Sequence, residues 1–536
     1  MTIVEKRDVA PGTTIEADLC IIGAGAAGIA IARALSGHGI EVAMLAGGGR
    51  DFRHKSQILY HGRNVGRESF APGKARLRMF GGSTTRWAGQ CRPLDPVDFE
   101  ARAGLPNTGW PIGAETLAPY YRQAATVCDL DDWRFERPDF AGASFGPDAD
   151  IAPVRYRHGH NVDFAQVFGA DLDAARDVRV FFDLHAVEIV PDGDTVSHIE
   201  ARGDDGRNVR VVADRFVLAC GGMENARLLL ASRSVQAEGV GNARDLVGRY
   251  FMDHPFFFGG SVQLADGVEP EAIGALKGYE QAGSAQRAHG AFAVSERLRR
   301  EEALNGAGVF FVERAAHKSS PHFLSRGGVA MTRVIDVMMH RELPDGRLQR
   351  HIPALFTNAG DVTRSTTERV RGAFSKKRTF AARFTLEALP IPESRIRLDP
   401  KRRDRFGMPQ LQVDWRLSDH DRGGIDRLRS GLVRWFDAAG IGKLSLHGAT
   451  DREGFPVSME GGKHHMGTTR MSSDPDNGVV DPDCRLHGTR NFYVAGSSVF
   501  PTGGYVNPTL TIVALALRLA DHLKSEIGCG ETEEAS

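Results

Sequence analysis

The chain has 536 residues, 41% hydrophobic and 25% charged, with a formal net charge of -1. That length exceeds a single hydrophobic core and predicts two domains or one large composite. The balanced charge lacks the basic excess that nucleic acid or an anionic membrane requires, so neither is expected as a partner.

Six cysteines (Cys20, Cys91, Cys128, Cys220, Cys484 and Cys529) have no metal-like spacing and read as reduced thiols; no metal is expected. The first residues lack a basic segment followed by an apolar stretch, and no apolar run reaches bilayer length. A soluble cytoplasmic protein is the expectation.

From Ala17 the chain reads A-D-L-C-I-I-G-A-G-A-A-G-I-A-I-A-R-A-L, then a stop at Gly37 to Gly39 and a second apolar run to Leu45. This spacing predicts a βαβ unit with its helix over Ala26 to Leu35. Gly23 allows the turn, Gly25 lets a phosphate approach the helix N-terminus beside Ala26 and Ala27, and Gly28 permits close helix packing, so a dinucleotide is expected here. The acid that usually closes the second strand is missing. Ala46 stands there, and Asp51 in the next loop reads as a solvated acid.

The segment from Arg76 to Phe99 carries Arg78 and the run Gly81, Gly82, Ser83, Thr84, Thr85, Arg86, Trp87, Ala88, Gly89. Glycines followed by small hydroxyl residues let backbone N–H groups face a planar ligand, though a plain turn before a short helix has the same composition. Trp110 and Tyr121 read as packing anchors of a helical excursion. Between about Asn161 and Arg215, short alternating runs separated by D-G turns predict a β-meander. It leads to a buried strand, then Gly221 and Gly222, then a helix, repeating the logic of the first unit. His254, before Pro255, has no evident partner and reads as structural. From Phe256 to about Leu444 the glycine fingerprints cease and mixed strand-like runs predict an inserted second domain, with Ser375 to Arg378 a solvated basic surface. The tail from Cys529 looks frayed.

Near the end come G-G-K-H-H-M-G-T-T-R-M from Gly461, F-Y-V-A-G-S-S with Gly496 and Ser497, and G-G-Y-V-N-P-T-L-T with Asn507, Pro508 and Thr509. His464 and Asn507 are a candidate catalytic couple, since a neutral imidazole suits a base near neutral pH and a carboxamide can donate to a developing alkoxide. Asn507 before Pro508 also has the signature of a helix N-cap.

Taken in order, these motifs resemble the glucose-methanol-choline (GMC) family of flavin-dependent oxidoreductases, nearest the sugar-oxidising, pyranose oxidase-like members. The resemblance implies an α/β (α+β composite) fold. It joins a Rossmann-type FAD-binding domain with a β-meander (14–105, 165–258 and 455–526) to a substrate domain on a mainly antiparallel sheet with helices (106–164 and 259–454), ending in a flexible tail (527–536). It implies that His464, by its spacing to Gly467 and Thr468, is the catalytic base, with His465 an adjacent support, and that Asn507 bonds the substrate oxygen. FAD would be held by Gly23, Gly25, Ala26, Ala27 and Gly28, by Arg78, Gly81, Gly82, Ser83, Arg86, Trp87, Ala88 and Gly89, by Gly221, Gly222, Gly496 and Ser497, and by Asn507, Pro508 and Thr509. Arg86 stands where a flavin-linking histidine occurs in some members, so the FAD is expected to be non-covalent. The implied reaction oxidises a hydroxyl of a sugar, polyol or glycoside, with the electron acceptor open between oxygen, a quinone and a protein. A nicotinamide-dependent Rossmann dehydrogenase and a flavin-bearing lyase of the same family are the alternatives.

Overall fold

The computed structural model describes residues 3–4, 10, 12–67, 69–130, 133, 135, 149–160, 162–275, 288–339, 347–373 and 378–533. Two eight-stranded sheets organise them. The first takes up the apolar run Thr14–Ile22, whose fully buried second half pairs in parallel with Val42–Ala46 on one side and Asn208–Leu218 on the other. A strand buried on both faces needs a continuous apolar sequence, and C-I-I beside V-A-M-L-A supplies it. Helix Ala26–Leu35 crosses between the first two strands as expected.

The predicted meander is corrected in its first part. Residues after Asp163 form helix Phe164–Ala174, capped by the Asp163 carboxylate, which accepts from the N–H groups of Ala165 and Gln166. The run V-R-V-F-F-D-L-H then breaks at Asp183, whose φ of 54° turns the chain. Val178–Phe182 joins the parallel sheet beside Val42–Ala46, and only Leu184–Asp192, Thr195–Gly203 and Asn208–Leu218 make the antiparallel meander. Alternation along the run does not distinguish a parallel partner from an antiparallel one; the left-handed aspartate does that.

The second sheet is antiparallel, in the order Gly442–Leu446, Pro255–Leu264, Arg378–Leu386, Ala307–Ala315, Ala288–Val294, Ile151–His158 and Gln90–Cys91, with Glu460–Gly461 pairing onto Pro255 and Phe256. The run R-F-T-L through R-I-R-L splits between two sheets, since Arg395–Arg403 pairs with Pro409–Asp414 in a separate three-stranded sheet. Helices Arg326–Met339, Arg347–Thr357 and Ala359–Ala373 accompany this antiparallel sheet. Most of the basic run from Ser375 lies outside the described residues, and so do the last three positions of the chain. The final helix, Thr509–Glu533, continues past Cys529, where fraying is expected; Ile527 still packs on the core.

Five described cysteines are free thiols. No described helix is long and apolar enough to cross a membrane. No described cluster of His, Cys, Asp or Glu has the arrangement of a metal site.

Candidate active site

One register decision brings the site together. Pro255 pairs with Gly461, and Met252 forms an antiparallel bridge with Met466, so Asp253 and His254 must lie across from the G-G-K-H-H segment. The segment is fastened on its other side by hydrogen bonds from Gly467 N to Ser497 O (3.1 Å) and from Thr469 N to Ser498 O (2.8 Å). Asp253 accepts the backbone N–H of His464 at 2.8 Å and of Lys463 at 3.3 Å. Burial pushes its carboxyl up to about 7, against the pull of those N–H groups.

His464 is half-buried and meets two side chains. Its Nδ1 lies 2.9 Å from Nδ1 of His254, and its Nε2 lies 3.4 Å from the Asn507 amide nitrogen, 43 positions away. Phe256 packs edge-on against the imidazole, ring centres 5.8 Å apart. Burial holds the pKa of His464 well below the usual imidazole range, and the neighbouring His254, His465 and Arg383 lower it further, so the ring is neutral at physiological pH. His465 takes a different position. It is buried against Phe251, its own pKa pushed down to about 3 by burial, and its carbonyl accepts the Ser497 hydroxyl at 2.7 Å.

Asn507 reaches the site because the chain before it is pinned. The Trp110 indole donates to the Thr502 hydroxyl (2.9 Å), which donates to the Asp98 carbonyl (2.7 Å), and the Thr385 hydroxyl donates to the Tyr505 carbonyl (3.1 Å). Trp110 and Tyr121 are buried, as packing anchors should be. The helix begins at Thr509, with its first ladder bond from Ile512 N to Pro508 O at 2.9 Å. The Asn507 carboxamide is turned toward His464, with its amide nitrogen facing Nε2.

Both residues open on a cavity of about 570 Å³ that runs back to the first βαβ unit. Gly23, Gly25, Ala26 and Ala27 line its far part. The following loop contributes Arg78, Gly82, Ser83, Arg86, Trp87 and Ala88, and the second glycine pair contributes Gly221 and Gly222. Gly496, Ser497, Asn507, Pro508 and Thr509 complete it. Three expected cofactor residues are not in the lining. A Cβ on Gly28 would lie 2.0 Å from the Gly23 carbonyl, on Gly81 2.9 Å from Ala165 Cβ, and on Gly89 2.5 Å from Val162, so these glycines serve packing and left-handed turns. Asp51 is exposed and lies outside the lining.

The cavity suits an elongated anionic cofactor. Helix Ala26–Leu35 starts at Gly25 with no side-chain cap and no acid in its first turn, leaving N–H groups and the positive dipole end for a phosphate. A Cβ at Gly25, Gly221 or Gly496 would meet no protein atom within 4 Å, although each lines the cavity. The three glycines therefore leave ligand space and not packing space.

Sequence reasoning missed several contributors. His254 was assigned to structure, yet it touches His464; the D-H-P motif directly before a strand was the available signal. His185 and Phe406, which line the end near Ala46, come from the meander and the three-stranded sheet region. Their rings lie 4.9 Å apart, and His185 is hydrogen-bonded to Arg78 and Asp204. Burial lowers its pKa to about 4. Glu224 at the same end is held at about 2: burial raises it, but Arg227, Arg76 and Arg78 together override that.

Residues 390–516 match a family model described as GMC oxidoreductase. The chain is 24% identical over 496 residues to 2-methyl-1,2-propanediol dehydrogenase of Mycolicibacterium austroafricanum, covering 83% of this chain and 81% of that protein. It is 39% identical over 125 residues to C-glycoside 3-oxidase of Microbacterium trichothecenolyticum, which is 23% of each chain. Among solved structures, pyridoxine 4-oxidase from Mesorbium loti aligns over 94% of this chain and 99% of that one, with a TM-score of 0.55 and 16% identity.

Proposed function

We propose, from the match of residues 390–516 to the GMC oxidoreductase model and the likeness over most of the chain to a diol dehydrogenase, that the chain is a GMC oxidoreductase that binds FAD non-covalently and oxidises a hydroxyl of a sugar, polyol or glycoside to a carbonyl. The observation that carries the reading is the pairing of His464 Nε2 with the Asn507 amide at 3.4 Å, in the same cavity as the uncapped helix start at Gly25. Relatives whose names are those of a polyol dehydrogenase and a glycoside oxidase support oxidation over a lyase reaction.

FAD supplies the acceptor for the hydride that leaves the carbinol carbon. The diphosphate would rest on the N–H groups after Gly25, and Arg86, an exposed cavity residue, offers no atom suited to a covalent link. The protein's own work is at the hydroxyl. Its proton passes to the neutral imidazole of His464, and the Asn507 amide donates to the oxygen as negative charge builds there. Phe256 packs against the imidazole and covers that side of it.

The test is an anaerobic panel of sugars, polyols and glycosides read by flavin bleaching. His464→Ala is expected to keep its flavin and slow reduction by about 10²- to 10⁴-fold. Unchanged reduction in that variant refutes the assignment, and a colourless purified protein refutes the flavin.

A further inference from the structure

We propose that His254 is a positioning residue that fixes the tautomer of His464, so that Nε2 is the atom that takes the proton; the inference rests on the oxidative reading of the site. Nε2 of His254 lies 3.3 Å from the Gly503 carbonyl oxygen. A carbonyl can only accept, so that nitrogen carries the hydrogen. His254 is fully buried, and burial lowers its pKa to about 4, so it is neutral and its Nδ1 holds a lone pair. The contact between the two Nδ1 atoms, 2.9 Å long, then requires the hydrogen on His464 Nδ1. A neutral His464 with hydrogen on Nδ1 has its lone pair on Nε2, and that is the nitrogen facing the Asn507 amide and the cavity.

Each link is set by the one before, and the chain ends on a backbone carbonyl that cannot reverse its role. The Gly503 carbonyl belongs to the turn that leads to Asn507, so the element presenting the amide also orients the base. A Cβ at Gly503 would lie 2.6 Å from Met466 Cε and 3.4 Å from His254 Nε2, so the turn is pressed directly against the histidine. Two consecutive residues thus hold His464 from one side: Asp253 takes its backbone N–H, and His254 takes its ring N–H.

Asn507 alone does not make this choice. Rotating its carboxamide by half a turn converts the donor facing His464 Nε2 into an acceptor, which would favour hydrogen on Nε2 and leave no base toward the substrate. The partner on the far nitrogen decides between the two forms, as in other histidines whose outer bond selects the working nitrogen.

The tautomer is read directly from long-range ¹H–¹⁵N spectra of histidine-labelled holoprotein, with His464 assigned by its loss in H464A. Hydrogen on Nδ1 and a bare Nε2 are expected; hydrogen on Nε2 overturns the proposal. In kinetics, H254L, which keeps bulk but no acceptor, should slow flavin reduction by at least about tenfold, toward the roughly 10⁴-fold known for a wrong tautomer, with apparent substrate affinity within about threefold. H254N places an amide oxygen near the original Nδ1 and should recover most of that loss. Wild-type reduction in H254L, or equal loss in H254N and H254L with retained flavin, overturns the proposal. If both variants lose flavin, the wild-type spectrum decides. Holoprotein that shows the expected spectrum but is reduced by no sugar, polyol or glycoside would remove the oxidative reading and leave the tautomer assignment standing.

Discussion

Replacing Gly222 by alanine tests whether the second glycine pair serves the cofactor or the catalytic loop. A Cβ built there would lie 2.1 Å from the carbonyl oxygen of His465 and 2.6 Å from its carbon. Carbon–oxygen contacts relax at about 3.3 Å, so roughly 1 Å of relief is needed. The atoms in the way are backbone, and no side chain can swing aside. Gly222 begins the second residue of a buried helix, Gly221–Ala231, whose fixed position leaves the loop to move. That loop is tied to Gly222 itself, through the Thr468 hydroxyl on its carbonyl at 2.6 Å, and His464 is one residue upstream of the clash. A misplacement of about 1 Å at a reacting group costs on the order of 100-fold in rate. Stopped-flow flavin reduction of G222A should therefore slow about 100-fold, with flavin content per protein near that of the wild type. Wild-type reduction in a flavin-loaded G222A would refute the loop argument, and loss of flavin with a normal residual rate would return Gly222 to the cofactor.

Gly25→Val should yield folded protein with little bound flavin, measured by the visible absorbance of the purified chain, because its side chain enters cavity space that no protein atom fills; full flavin content would refute the cradle. Stability should fall as pH drops from 7 to 5. His185, His254 and His465 have folded pKa values lowered to about 4, 4 and 3, below the unfolded value of about 6.5, so their contribution is complete above 6.5 and shrinks below it as the unfolded chain takes up protons. Each contributes a loss of up to roughly 1.4 kcal/mol per pH unit below about 6.5, to which the lowered His464 and His289 add. Asp253, raised to about 7, and Asp98 and Asp421, raised to about 6, oppose it by taking up protons in the folded state. The histidines outnumber these carboxyls, so calorimetry should show a falling Tm, and a rising Tm between pH 7 and 5 would count against buried neutral histidines. Glu387→Leu should destabilise by about 3–5 kcal/mol, since it strands buried Arg102, which it binds at 2.6 and 2.9 Å, and Arg299, at 3.4 Å. A shift below about 1 kcal/mol in denaturant unfolding would refute the pairing argument.

Much of this protein was legible in its residues alone. The run from Ala17 to Leu45 determines its own strand, turn and helix, because an apolar strand, small residues at the turn and a glycine stop are local requirements met within about thirty residues. The spacing of His464 to Gly467 and Thr468, with Asn507 before Pro508, marked out the candidate couple on the strength of a family resemblance. Tertiary structure decided which surfaces those residues meet. Gly28, Gly81 and Gly89 look the same in sequence as Gly25 and Gly221, but what a Cβ would strike separates packing glycines from cavity glycines. His254 had no partner in sequence because its partner is 210 positions away, brought across by the pairing of Pro255 with Gly461. Local patterns fix the backbone wherever neighbouring residues satisfy one another; the working nitrogen of a histidine is set by a hydrogen bond across the fold, and only the closed sheets specify it.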